Sequence, residues 1–314
     1  MDWVSKFYIN LIWALGYIST RSPSLLENSD LKFRLISVPG ILNILHCTSM
    51  LFTFGSTIKL LMQTSVRDYY TPTTFMLVTM ANAVDFVTAI VVRILSAKFT
   101  SQFLLAYRSL TEWRRGESWG KFQAIVWLTV TVVLGGTTAS SIVSIFETGM
   151  VAVQNSDGGV LLALTVINSL FASTTHLTAI PFALTYIVVM GSNIVAGYVN
   201  ICRSLEERRC TAAKMRELKG RFKLLKMQTK MFYRIANFYG VCIVVRCAVT
   251  LLEMVALVAI GINFGGLQTS IYSFIVSNIL CLLILAHAGN RFETEVGKIW
   301  VPAAACTFEI GLCD

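Results

Sequence analysis

The sequence predicts an all-α protein, a polytopic membrane helix bundle. Three observations predict it. Of 314 residues, 55% are hydrophobic and only 14% charged, where a soluble domain carries about 25% charged residues. The mean hydropathy is +0.67. Apolar runs of the ~20 residues needed to cross a bilayer recur along the chain. A net charge of +9 would point to nucleic acid in a soluble protein. Here it points to loops facing anionic lipid, and no nucleic-acid partner is expected.

The elements follow in order. The opening MDWVSKFYINLIWALGYI holds an apolar run too short for a span. It reads as an interfacial or re-entrant helix, because no small-residue cleavage site follows it cleanly. Six spans are predicted, at 37–62, 72–95, 122–146, 158–202, 238–263 and 268–287. They form one bundle over 1–288, with a basic helical segment at 203–237. A tail, 289–314, is read as cytosolic and as holding no further span.

The uncharged stretch 158–202 is long enough for one helix of about 65 Å or for two tight spans. Basic residues decide between these readings, since Lys and Arg resist translocation. Arg203 to Arg234 carries eleven Lys and Arg against three Glu. Lys98, Arg108, Arg114, Arg115 and Lys121 follow the second span. With one helix at 158–202, these two basic segments share a face, together with the N-terminus and the tail. That face then holds 22 of the 26 basic residues. The expectation is one long helix, bent near Pro181, and a cytosolic N-terminus. Seven spans and an outside N-terminus, as a G-protein-coupled receptor requires, fit this charge pattern poorly.

The basic segment has helical order. Met215, Leu218, Phe222 and Leu225 recur at spacings that place them on one face. Glu217 precedes Arg221 by one helical turn, a favourable order for an ion pair. The stripe predicts helices that pack, since a tract that only adsorbs to lipid does not need it.

An N-inside topology, a very long fourth span and a long charged helical link together resemble the insect gustatory receptor family. The opening FYINLIWALGYISTRSPSLL is similar to that family's N-terminal helix and turn. The closing AGNRFETEVGKIW is similar to the cytosolic stretch before its last span. The resemblance covers nearly all of the chain and implies a ligand-gated cation channel subunit. Such subunits form homo- or hetero-tetramers in the plasma membrane of sensory neurons and bind a small-molecule tastant in the outer half of the bundle. The family's seventh span lines the pore and carries a Thr-Tyr then Gln-Phe signature. That signature does not follow His287; Thr185-Tyr186 lies in the fourth span instead. The resemblance therefore implies a chain that does not conduct alone.

Candidate ligand contacts are the polar and ionisable residues within the predicted spans. Asp85 and Glu253 are expensive in hydrocarbon, by roughly 2.5–3.5 kcal/mol each, and so should face partners or water. Arg246 stands seven residues before Glu253, close enough to the inner face for its side chain to snorkel. Thr79, Asn82, Ser144, His176, Tyr272 and Asn278 complete a set expected in the outer half. Ser and Thr also serve as small packing groups between membrane helices.

No chemistry of catalysis is legible. The chain has three His, no His-Cys or His-Glu cluster, no phosphate-cradling loop and no nucleophile elbow. The eight Cys lack metal-ligand spacing and read as small hydrophobes. Neither enzyme, metal site nor cofactor is expected. A small-molecule or ion transporter is the rival reading, with Asp85, Arg246 and Glu253 as a relay. Against it, the two halves show no internal repeat.

Overall fold

The computed structural model describes residues 10, 13–17, 36–62, 71–113, 159–206, 212–259, 275–276 and 278–294. Among these residues every regular element is helical and none is a strand. The helices are α1 (Val38–Leu61), α2 (Pro72–Trp113), α3 (Gly159–Glu206), α4 (Ala212–Ala259) and a fifth run, α5, at 278–294. Three are long and apolar enough to cross a membrane, over Val38–Lys59, Pro72–Phe99 and within Ala212–Val255. The described chain is thus helical, with three candidate membrane spans. The predicted span 122–146 lies outside the described residues.

Helix starts and lengths follow from local chemistry. Ser37 Oγ accepts from the Gly40 backbone N–H at 3.2 Å, and Thr71 Oγ1 accepts from the Thr74 N–H at 3.2 Å. Both are N-caps that satisfy a donor the helix cannot. Pro72, directly after the Thr71 cap, occupies the first helical position, where its missing N–H is no loss. No Gly or Pro interrupts 73–113. So α2 runs on past the expected end of the second span at residue 95, through Lys98 and Arg108 to Trp113.

One helix covers Gly159–Glu206, with Pro181 inside it. Pro181 donates no backbone hydrogen bond to the carbonyl four residues earlier. Thr185 Oγ1 donates to the Pro181 carbonyl at 2.6 Å. The basic segment is continuous with the apolar run after it, as one 48-residue helix, α4. At 1.5 Å per residue, α3 and α4 are each about 72 Å long.

The core sits along the second half of α3. Ala179, Ala183, Leu184 and Ile194 are all but sealed from solvent. α3 makes its most extensive contact with α4, and α2 packs on both. On α4 the buried residues Leu218, Leu225, Phe232, Tyr239 and Arg246 recur every seven positions, the period of a helix–helix seam. Met215 and Phe222 of the predicted stripe are half-buried beside that seam. The basic side chains Arg216, Lys219, Lys223, Lys226 and Lys230 point away and are exposed. Aromatic rings tie the helices together: Tyr186 of α3 meets Tyr239 of α4 edge-on at 5.4 Å, and Phe232 lies 5.5 Å from Phe292 of α5. Apolar side chains are also exposed, as at Phe52 and Val241.

Candidate functional site

A layer of polar groups joins the helices within the apolar bundle. Asp85 of α2 and Arg246 of α4 form an ion pair through Oδ1 and Nε. Their side chains are 18% and 10% exposed. Two buried charges survive in such surroundings only when paired, because isolated ions there lose several kcal/mol of solvation. Of the outcomes open to Arg246, snorkelling to the inner face or meeting a partner inside the bundle, the structure has the second: its head meets Asp85 on α2. Glu253, two turns further along α4, is half-buried and makes no salt bridge among the described residues.

The other predicted residues fall in several places. Thr79, Asn82 and Asp85 recur at threes along α2 and share a face. Thr79 Oγ1 donates to the Phe75 carbonyl and Asn82 Nδ2 to the Val78 carbonyl, both at 2.8 Å. These bonds return to their own helix, as in small packing residues of membrane helices. Asn278 is half-buried on α5. His176 lies on α3, with its side chain outside the described residues, as are Ser144 and Tyr272 altogether. The structure thus brings together Asp85 and Arg246, with Thr79 and Asn82 on the same face of α2.

Three residues outside the predicted ligand set, His46, Arg93 and Tyr17, help tie this layer together. His46 of α1 is buried, and its Nδ1 lies 2.9 Å from the Phe171 carbonyl and 2.8 Å from Thr175 Oγ1. A carbonyl only accepts, so Nδ1 carries the proton. Thr175 is completely buried on α3 and donates to the same carbonyl at 2.8 Å.

Arg93 of α2 is fully buried. Its Nη1 donates to the Leu15 carbonyl at 3.0 Å, and its guanidinium carbon stands 4.3 Å over the Tyr17 ring. Nε and Nη2 are buried without a hydrogen-bond partner among the described residues. Tyr17 stacks on Phe182 of α3 at 4.3 Å and bonds Thr178 Oγ1 at 2.9 Å. Thr178 spends its own proton on the Thr174 carbonyl at 2.6 Å, so the Tyr17 hydroxyl donates. The preceding Gly16 takes φ +77°, and a side chain there would stand 3.0 Å from the Asn43 nitrogen and the Pro39 carbonyl. Only glycine makes this turn and lets it approach α1. The signal in the sequence is a charge, Arg93, inside the apolar run of the predicted second span, 72–95.

A separate cleft of about 730 Å³ opens between α3, α4 and α5. Its walls are apolar, and its polar lining is Tyr233, Asn237 and Arg291. Of the predicted ligand contacts whose side chains are described, Thr79, Asn82, Asp85, Glu253 and Asn278, none lines it. Among the described residues, no three His, Cys, Asp or Glu stand together as a metal site.

No known protein family, curated protein or solved structure matches this chain.

Proposed function

We propose that this protein is a chemoreceptor subunit of the insect gustatory receptor type, a ligand-gated cation channel subunit that detects a small-molecule tastant. In this reading it works in the plasma membrane with other subunits of its kind. The observation that carries the reading is the pair of 48-residue helices, α3 and α4. Each is more than twice the ~30 Å hydrocarbon thickness, and α4 joins a basic, striped half to an apolar half without a break. A transport bundle does not need such a shaft, whereas a subunit that must pack with copies of itself beyond the bilayer does.

The Asp85–Arg246 pair supports the sensing part of this reading. An ion pair between two helices in a membrane holds one arrangement, and a ligand that prefers another arrangement can break it. Thr79 and Asn82 on the same face of α2 are the polar contacts we assign to the tastant.

An N-terminal epitope tests the topology. It should be hidden from antibody in intact cells and reached after permeabilisation. Whole-cell recording with other gustatory-type subunits tests the activity, which should be a tastant-evoked cation current. An epitope exposed on intact cells would overturn the reading. Substrate uptake without current would replace it with a transporter.

A further inference from the structure

We propose that the cleft between α3, α4 and α5 is a binding site for one anionic phospholipid. The lipid's head lies at Tyr233, Asn237 and Arg291, and an acyl chain fills the apolar remainder. This proposal is independent of what the protein senses.

The cleft has two unlike ends. Tyr233 packs edge-on against Phe292 at 5.7 Å, which brings the start of the α4 wall beside the end of the α5 wall. The polar lining residues Tyr233, Asn237 and Arg291 all fall at that end. Val244 and Val245 lie two to three turns further along α4, and Leu285 lies nearly two turns back along α5, so the described lining of the other end is apolar. A ligand that fits has a polar head and a hydrocarbon body. The volume of about 730 Å³ is in the range of sites that enclose one small molecule, here a head and part of its hydrocarbon body.

Charge selects the head. Arg291 lines the cleft, Arg234 is exposed next to Tyr233, and Lys230 is exposed one turn before it on the same face. Among the described residues the acid beside Tyr233 is Glu293, exposed at the end of α5. The neighbourhood therefore keeps a positive excess, and it continues into the basic half of α4. By the positive-inside rule this end faces the anionic leaflet. Basic pockets between membrane helices on that side take anionic head groups.

Glycines make the room. A side chain at Gly191 would stand 3.3 Å from Phe232 and Phe292, so that glycine lets the rings close one wall. Gly240 and Gly289 also line the cleft, and a Cβ on either meets nothing within 4 Å. Both therefore have open room beside them where they line it. Gly240→Leu or Gly289→Leu would fill the cleft without displacing the protein around it.

The test uses the full chain in mild detergent, with short-chain phosphatidylserine and phosphatidylcholine as probes. Lipid retention is read by native mass spectrometry and by the shift in thermal unfolding. One phosphatidylserine should be retained and should raise the midpoint more than phosphatidylcholine does. Gly240→Leu should abolish both effects while leaving the lipid-free midpoint unchanged or higher. If that variant fails to fold, Gly289→Leu serves the same purpose. Arg291→Gln should weaken phosphatidylserine about fivefold and phosphatidylcholine not at all, the share of one cation at an anionic surface. Equal retention of the two lipids would overturn the proposal. So would phosphatidylserine binding that survives in a folded leucine variant. Inorganic phosphate that stabilises as well as phosphatidylserine would also overturn it, in favour of a free anion.

Discussion

Arg246 on α4 donates from Nε to Oδ1 of Asp85 on α2, across 161 positions of sequence. Both side chains are largely shielded, and each accounts for the presence of the other in the bundle. Asp85 alone would be a carboxylate facing hydrocarbon, and Arg246 alone a guanidinium in the seam between α4 and its neighbours.

Removing one partner should therefore cost more than removing both. Asp85→Asn or Arg246→Gln is expected to lower stability by about 3–5 kcal/mol, because the surviving charge stays buried and unpaired. The combined variant, Asp85→Asn with Arg246→Gln, should recover part of that loss. Unfolding of the purified protein in detergent, read as a double-mutant cycle, measures the coupling. Additive losses would show that the two side chains do not depend on each other.

Two glycines of neighbouring helices should respond in opposite directions. At Gly191 an added Cβ meets Phe232 Cζ and Phe292 Cδ2 at 3.3 Å. Gly191→Leu must push two ring contacts apart and should destabilise by about 1–3 kcal/mol. At Gly240 an added Cβ meets nothing. Gly240→Ala should stabilise by up to about 1 kcal/mol through helix propensity alone. Thermal midpoints of the two variants, measured side by side, check both signs.

The surface pair of α4 should contribute little. Arg221 Nη2 lies 2.5 Å from Glu217 Oε1, one helical turn apart, with side chains 45% and 58% exposed. Water and salt screen such a pair, and its worth is about 0.3–0.5 kcal/mol. Glu217→Gln should shift the unfolding midpoint by no more than that, with the difference vanishing in high salt. A larger loss would mean that this stretch of α4 is held by charge rather than by its buried seam.

Helix content was legible because it rests on local signals. The apolar runs place α1, most of α2 and the latter half of α4, and the stripe Met215, Leu218, Phe222 and Leu225 marks the inward face of α4's first half. What lay beyond reading was pairing between helices. Spacing along α4 set Arg246 beside Glu253, but only packing could set it beside Asp85 on another helix. His46 was equally opaque, since its partners Phe171 and Thr175 lie more than 120 positions away. Arg93, within the predicted span 72–95, was ambiguous because a charge in an apolar run has two outcomes, reaching water or being enclosed. The turn at Leu15–Tyr17 that encloses it comes from elsewhere in the chain.

That turn offers a graded test of how the N-terminal segment is held. Tyr17 makes three contacts of different kinds. Its hydroxyl donates to Thr178, its ring stacks on Phe182, and its face lies under the Arg93 guanidinium. Tyr17→Phe removes only the first and should cost about 0.5–1.5 kcal/mol. Tyr17→Ala removes all three and leaves a cavity in a fully buried site, and should cost about 3–5 kcal/mol. Hydrogen exchange at residues 13–17 should rise slightly in the first variant and strongly in the second. Exchange around Leu218 should stay unchanged in both, because the stack of Tyr17 on Phe182 reaches α4 at Tyr239, roughly six turns further along. If Tyr17→Ala leaves exchange at 13–17 unchanged, the grip comes from the Arg93 bond to the Leu15 carbonyl, and Arg93→Met should then release the turn where Tyr17→Ala did not.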